Sequence, residues 1–224
     1  MSETRIGLIF HGIGTPERVL ESGEVPYWIS TDRFEAVLDQ IDGAPRPDLI
    51  RISFDDGNRS DHDIALPRLL ARGLTADFFV LSGRIGSAGS LDARQVRALM
   101  AAGMGIGSHG VDHRDWQSLT VAELEAELAL SRATLESICG QPVRTAGIPF
   151  GRYDARVLRG LRRAGYDCAY SSDRGTMAVT DFLRPRTSVR ATMTAAEMAD
   201  ILAGRMAPSL RLRRAAGMAL RRWF

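Results

Sequence analysis

The chain has 224 residues and a mass of 24.5 kDa, which suits one barrel-sized α/β domain and is short for two average ones. Hydrophobic residues at 45% and charged residues at 25% exclude a disordered chain. A formal charge of +2 predicts no nucleic-acid partner, and two cysteines, Cys139 and Cys168, exclude a disulfide scaffold and any cysteine zinc motif.

The charge is unevenly placed. Every basic residue is arginine, and five of them (Arg211, Arg213, Arg214, Arg221, Arg222) lie in residues 208–224, which hold no acid. Removing those five leaves the body of the chain at −3. The apolar run from Ile6 to Phe10 is too short for a secretory h-region, and no run of 18 apolar residues is present. The expected location is therefore the cytoplasm.

Strand-like and helix-like segments alternate along the chain. A strand over 5–10 ends at His11, and a Gly-, Pro- and Ser-rich loop fills 12–30. A helix is predicted over 31–40 from Phe34, Val37, Leu38 and Ile41, with Asp32 and Glu35 as a capping box. A strand over 49–54 runs into Asp55-Asp56-Gly57, and a helix over 63–72 stops near Gly73. A strand over 77–81, a helix over 92–102 and a strand over 104–107 lead to Ser108-His109. A long helix over 120–139, capped by Thr120 and Glu123, stops at Gly140. Then come a strand (144–148), a helix (154–164), strands at 166–170 and 182–189, and a helix at 194–204. About seven strands alternating with helices imply a mainly parallel sheet, curved or closed into a barrel.

In such folds the chemistry sits at the C-terminal ends of the strands. His11, Asp55, Asp56, His109 and the Pro149-Phe150-Gly151 loop all follow predicted strands. His109 and His113, four residues apart, can reach one cation, and a strand-end aspartate would complete the set. Two imidazoles and a carboxylate with open positions suit zinc or another divalent ion doing hydrolysis.

The segments Ile52-Ser53-Phe54-Asp55-Asp56-Gly57, Ser108-His109-Gly110-Val111-Asp112-His113 and Ile148-Pro149-Phe150-Gly151 come in the order and spacing of one family. The chain resembles the polysaccharide deacetylases, carbohydrate esterase family four, and is closest to the poly-N-acetylglucosamine deacetylase branch. The resemblance runs from about His11 to Val189. It implies a distorted (β/α)7 barrel in a single domain over 1–204, with 205–224 as a basic amphipathic tail. It also implies a hydrolase of non-peptide C–N bonds that removes the N-acetyl group from an N-acetylhexosamine-containing saccharide. The substrate would be an oligosaccharide or a lipid-linked or exopolysaccharide precursor. The alternatives are a degenerate, saccharide-binding member and a deacetylase of another small amide or acetyl ester.

Carried over by motif, Asp56, His109 and His113 would hold one divalent metal, with zinc the expected ion though ligand type alone does not single it out, and Asp55 would be the base. The Phe150 N–H would donate to the oxyanion. The family's late acid histidine is missing, since no histidine follows His113, so His11 is assigned that part. Gly110 stands where serine or threonine is usual. Gly147 stands where the family carries the arginine that holds the catalytic aspartate, and Arg186, in Arg184-Pro185-Arg186, is assigned to Asp55 instead. Tyr27, Trp28 and Trp116 are candidates for stacking on sugar, and His62 reads as a surface or capping residue. Residues 208–224, with arginines among Leu, Met, Trp and Phe, are expected either to pack on the barrel or to contact an anionic membrane at its inner face.

Overall fold

The computed structural model describes residues 4–223; Phe224 and the Trp223 side chain, both part of the predicted amphipathic tail, lie outside the described residues. Strands β1 (Thr4–Phe10), β2 (Ile50–Asp56), β3 (Ala76–Val80), β4 (Gly105–Ser108), β5 (Thr145–Gly147) and β6 (Cys168–Ser171) pair in chain order, all parallel. Helices α1 (Thr31–Asp42), α2 (Leu66–Ala71), α3 (Ala93–Ala101), α4 (Val121–Cys139) and α5 (Ala155–Arg163) alternate with them.

The single strand predicted over 182–189 is two short strands. β8 (Leu183–Pro185) pairs with β6, and β9 (Thr187–Ser188) pairs with β1. Arg186 is the residue between them. The segment therefore crosses from the last wall strand to the first and closes the barrel. The count of seven parallel wall positions holds on this reading. The sequence reading missed β7 (Thr176–Ala178), a short antiparallel addition to β1.

Alternation along β2 explains how one strand serves two layers. Phe54 faces the helices, stacking on Phe78 at 4.7 Å and meeting the Phe34 ring of α1. Ser53 and Asp55 face the barrel interior, where Phe79, Cys168, Tyr170 and Met177 form a separate small cluster. Both cysteines are free, and Cys168 packs within that cluster.

The helix ends follow local chemistry, with two corrections. α1 is capped by Ser30, whose hydroxyl accepts the Arg33 N–H at 3.1 Å, and not by Asp32. The predicted helix over 63–72 begins as a π-helical turn, Asp61–Ala65, before α2. Pro67 lacks the N–H that would close an α-helical bond there. The Thr120–Glu123 capping box of α4 is present with both reciprocal bonds.

After β9 come α6 (Ala195–Leu202) and α7 (Pro208–Trp223). α7 lies against α5, with Met218 buried in the main core and Arg214 and Arg221 turned inward. Leu212 and Leu220 stay exposed on its outer side, together with Arg211, Arg213 and Arg222. No helix among the described residues is long and apolar enough to cross a membrane.

Candidate active site

Five strand ends converge on one cleft of about 270 Å³, lined by His11, Asp55, Asp56, His109, His113 and Phe150 among others. A larger crevice of about 390 Å³, between α6 and the start of α7, holds none of these residues.

β2 delivers the two aspartates. Asp56 turns to a positive φ of 78°, followed by Gly57 at 69°, so the two adjacent carboxylates are aimed apart. Asp56 Oδ1 is buried with no protein hydrogen-bond partner, yet lies 3.5 Å from His109 Nε2 and 3.6 Å from His113 Nε2. One ligand atom from each of the three residues lies within 4.8 Å of the others. Ligand atoms about 2.1 Å from a tetrahedral cation stand about 3.4 Å apart, so the three fit one ion.

Both imidazoles have a fixed tautomer. His109 Nδ1 donates to the Gly147 carbonyl at 2.9 Å, and a carbonyl only accepts. His113 Nδ1 donates to Glu21 Oε2 at 2.7 Å. In the neutral ring, each Nε2 is then a lone pair facing Asp56. Burial holds His113 down to about 4, so it is neutral at ordinary pH. Burial also works to lower His109, but Asp55 and Asp56 outweigh it and raise the ring above its usual value. Burial likewise opposes ionisation of Asp56, and His109, His11 and His113 together hold its carboxyl well below the usual range.

Asp55 belongs to a different network. Arg186, 1% exposed, grips both of its oxygens at 2.8 and 2.9 Å and reaches Ser53 Oγ at 2.8 Å. The guanidinium stands 4.8 Å from the centre of the Phe79 ring and 5.3 Å from that of Tyr170. Burial would raise the Asp55 carboxyl, but Arg186, with His109, holds it below its usual value.

The two glycines that depart from the family motifs have structural reasons. A Cβ on Gly147 would lie 3.0 Å from His109 Nδ1 and 3.0 Å from Phe79 Cγ. A side chain there would push on His109 and Phe79, and the arginine on Asp55 comes from the barrel seam instead. Gly110 sits at φ 90°, where a Cβ would lie 2.8 Å from Glu127 Oε2. Glu127 of α4 instead accepts the Val111 N–H at 2.8 Å, bracing the His109–His113 loop.

His11 lines the same cleft, its ring 5.1 Å from Tyr27, and its Nδ1 is buried without a protein partner. Phe150 has φ 56°, is 50% exposed, and lays its ring 4.3 Å from that of His113.

Of the candidate sugar-stacking rings, Tyr27 lines the cleft. Trp116 is fully buried, and Trp28 packs beneath Gly12 with its Nε1 donating to the Gly14 carbonyl at 2.7 Å, so both serve the loops. His62 bonds Asp63 on the surface of the π-helical turn. The reading of the sequence missed Glu21, Ser53 and Glu127. Ser53 stands two residues before Asp55, a same-face signal that period-two alternation could have supplied.

The profile of the polysaccharide deacetylase family matches residues 42–169. YxkH of Bacillus subtilis (strain 168), whose name places it in the same family, is 28% identical over 149 residues, covering 66% of this chain and 53% of its own. The chain thus spans about half the length of that curated relative. Among solved structures, the fold is similar to the Streptococcus pyogenes deacetylase PplD in complex with acetate (TM-score 0.76, 19% identity, 90% of this chain and 99% of that one). It is also similar to IcaB from Ammonifex degensii (TM-score 0.70, 22% identity, 88% and 95%).

Proposed function

Because the chain belongs to the polysaccharide deacetylase family, we propose that it removes the N-acetyl group from an N-acetylhexosamine-containing saccharide, an oligosaccharide or lipid-linked precursor. The observation that carries this reading is the pairing of two separate carboxylate networks at the end of β2. Asp56 stands with two imidazoles whose Nε2 atoms face it, and Asp55 with Arg186.

Asp56, His109 and His113 would hold one divalent ion, and two imidazoles with one carboxylate suit zinc. When bound, that ion polarises the acetyl carbonyl and makes a water acidic enough to ionise near neutral pH. Asp55, tied to Arg186, takes the proton of that water as it attacks the carbonyl carbon. The Phe150 N–H, at the cleft rim, donates to the oxyanion. The C–N bond then breaks, His11 protonates the amine nitrogen, and acetate and a free amine leave.

The test is acetate release from N-acetylated hexosamine oligomers by protein loaded with zinc. Release that stops on Asp55→Asn, with metal content kept, supports the assignment; release that persists removes Asp55 from it.

The outer side of α7 supports a second contact. Leu212 at 73% and Leu220 at 62% exposure lie beside Arg211, Arg213 and Arg222, with no acid in the helix. This surface suits an anionic bilayer, each basic residue contributing about 1 kcal/mol. Co-sedimentation with phosphatidylglycerol vesicles should fall on replacing the three outer arginines with glutamate; equal binding removes the contact.

A further inference from the structure

Phe150 is strained. A non-glycine residue at φ 56° is disfavoured and persists only where its surroundings fix it. What fixes it can be traced outward. Tyr153, three residues on, is fully buried, and its carbonyl accepts Gln117 Nε2 at 2.7 Å. Its hydroxyl donates to Asp173 Oδ2 at 2.7 Å, as does the Ser171 hydroxyl at 2.7 Å. Gly151 presses on the same turn after β6: a Cβ there would lie 2.0 Å from Ser172 Oγ.

That turn is gripped from its other side by α7. Arg221 donates to Asp173 Oδ1 and stands 5.0 Å over the Tyr153 ring. Arg214, two turns earlier, donates its Nε to the Asp173 carbonyl at 3.1 Å. Two of the tail's five arginines thus turn inward onto Asp173, with Arg214 reaching the Thr176 carbonyl as well.

We infer that Arg221 and Asp173 form a clamp through which the C-terminal helix sets the Phe150 backbone, making both positioning residues for the deacetylation. The inference rests on the reading of the Phe150 N–H as the oxyanion donor. The Asp173 side chain is 10% exposed, so without Arg221 it keeps only the neutral donors Tyr153 and Ser171. The turn then shifts, Gly151 loses its support, and Phe150 relaxes from its strained φ. His11, Asp55, Asp56, His109 and His113 stand on other strand ends and keep their places, so turnover should fall more than binding.

The experiment uses full-length, zinc-loaded protein. Losing an oxyanion donor costs about 100- to 1,000-fold in kcat, so misaligning one through Arg221→Met or Asp173→Asn should cost roughly 10-fold, with a smaller change in KM and metal content unchanged. Arg221→Lys should recover part of the loss. The double variant should fall no further than either single one, because the two act as a unit. Arg163→Met on α5, at an exposed pair with Glu125 of α4, should behave as wild type. Amide hydrogen exchange over residues 149–153, read on the same proteins, is independent of activity and should speed up in Arg221→Met. Unchanged exchange, or kcat within twofold of an active wild type, overturns the clamp. A wild type that releases no acetate while Arg221→Met speeds exchange overturns the functional reading and leaves the clamp standing.

Discussion

Arg186 meets Asp55 at two points, 2.8 and 2.9 Å, at the place where the chain passes from β8 on β6 to β9 on β1. Closing the barrel and orienting the proposed base are therefore one structural event. Arg186→Met leaves a buried carboxylate without its partner, a loss of about 3–5 kcal/mol. It should lower the Tm and reduce kcat roughly 100-fold. Arg186→Lys keeps the charge but not the fork, and should restore stability better than turnover. Circular dichroism melts beside acetate-release kinetics check both.

Glu21 reaches His113 Nδ1 from the long loop before α1, and Arg84 holds the same carboxylate. Glu21→Gln should weaken metal binding about 10- to 100-fold. Competition with a chromogenic chelator measures this directly. Unchanged affinity would show that the hydrogen bond does not tune the ligand.

His11 is assigned the acid because its buried Nδ1 is unpartnered and it shares the cleft with both aspartates. His11→Asn should keep metal content while kcat falls about 100-fold or more. The loss should shrink on an acetyl ester, whose alkoxide leaving group needs less help than an amine. Unchanged turnover on the amide would sink the assignment.

The N-terminus of α4 carries a pH-dependent share of stability. Arg114, then the Thr120 N–H and hydroxyl, hold Glu123 down to about 2 from an ordinary 4.5. Folding favours the ionised form, so this stability is fully present above pH 4.5 and is lost as pH falls towards 2. Glu123→Gln should therefore lower the Tm at pH 7, and the gap to wild type should narrow below pH 4.5. A constant gap across pH 3–7 would contradict it.

Much of the fold was legible because each of the first five wall strands is followed by a helix with its own stop or cap, and Thr120–Glu123 is a purely local signal. The break at Arg186 was not, since whether a strand changes partner is decided by closure of the whole sheet. The cluster of Asp56, His109 and His113 was legible because Asp56 and His109 fall at strand ends and His113 follows His109 by four residues. Glu21 was hidden because its loop has no periodicity and meets His113 across 92 residues of sequence. The inward arginines of α7 were hidden for a related reason. A helix with basic residues on every face does not say which of them will find a buried acid, and Asp173 selects Arg214 and Arg221.

The central claim is that Asp56, His109 and His113 hold one catalytic divalent ion for amide hydrolysis. Metal content and acetate release from N-acetylglucosamine oligomers should be measured on the same sample, before and after chelation and on restoring zinc. The account predicts one ion per chain, acetate and free amine in equal amounts, loss of both on chelation, and recovery with zinc. Stoichiometric metal with no acetate from any N-acetylated glycan, or acetate release that survives chelation, would contradict it.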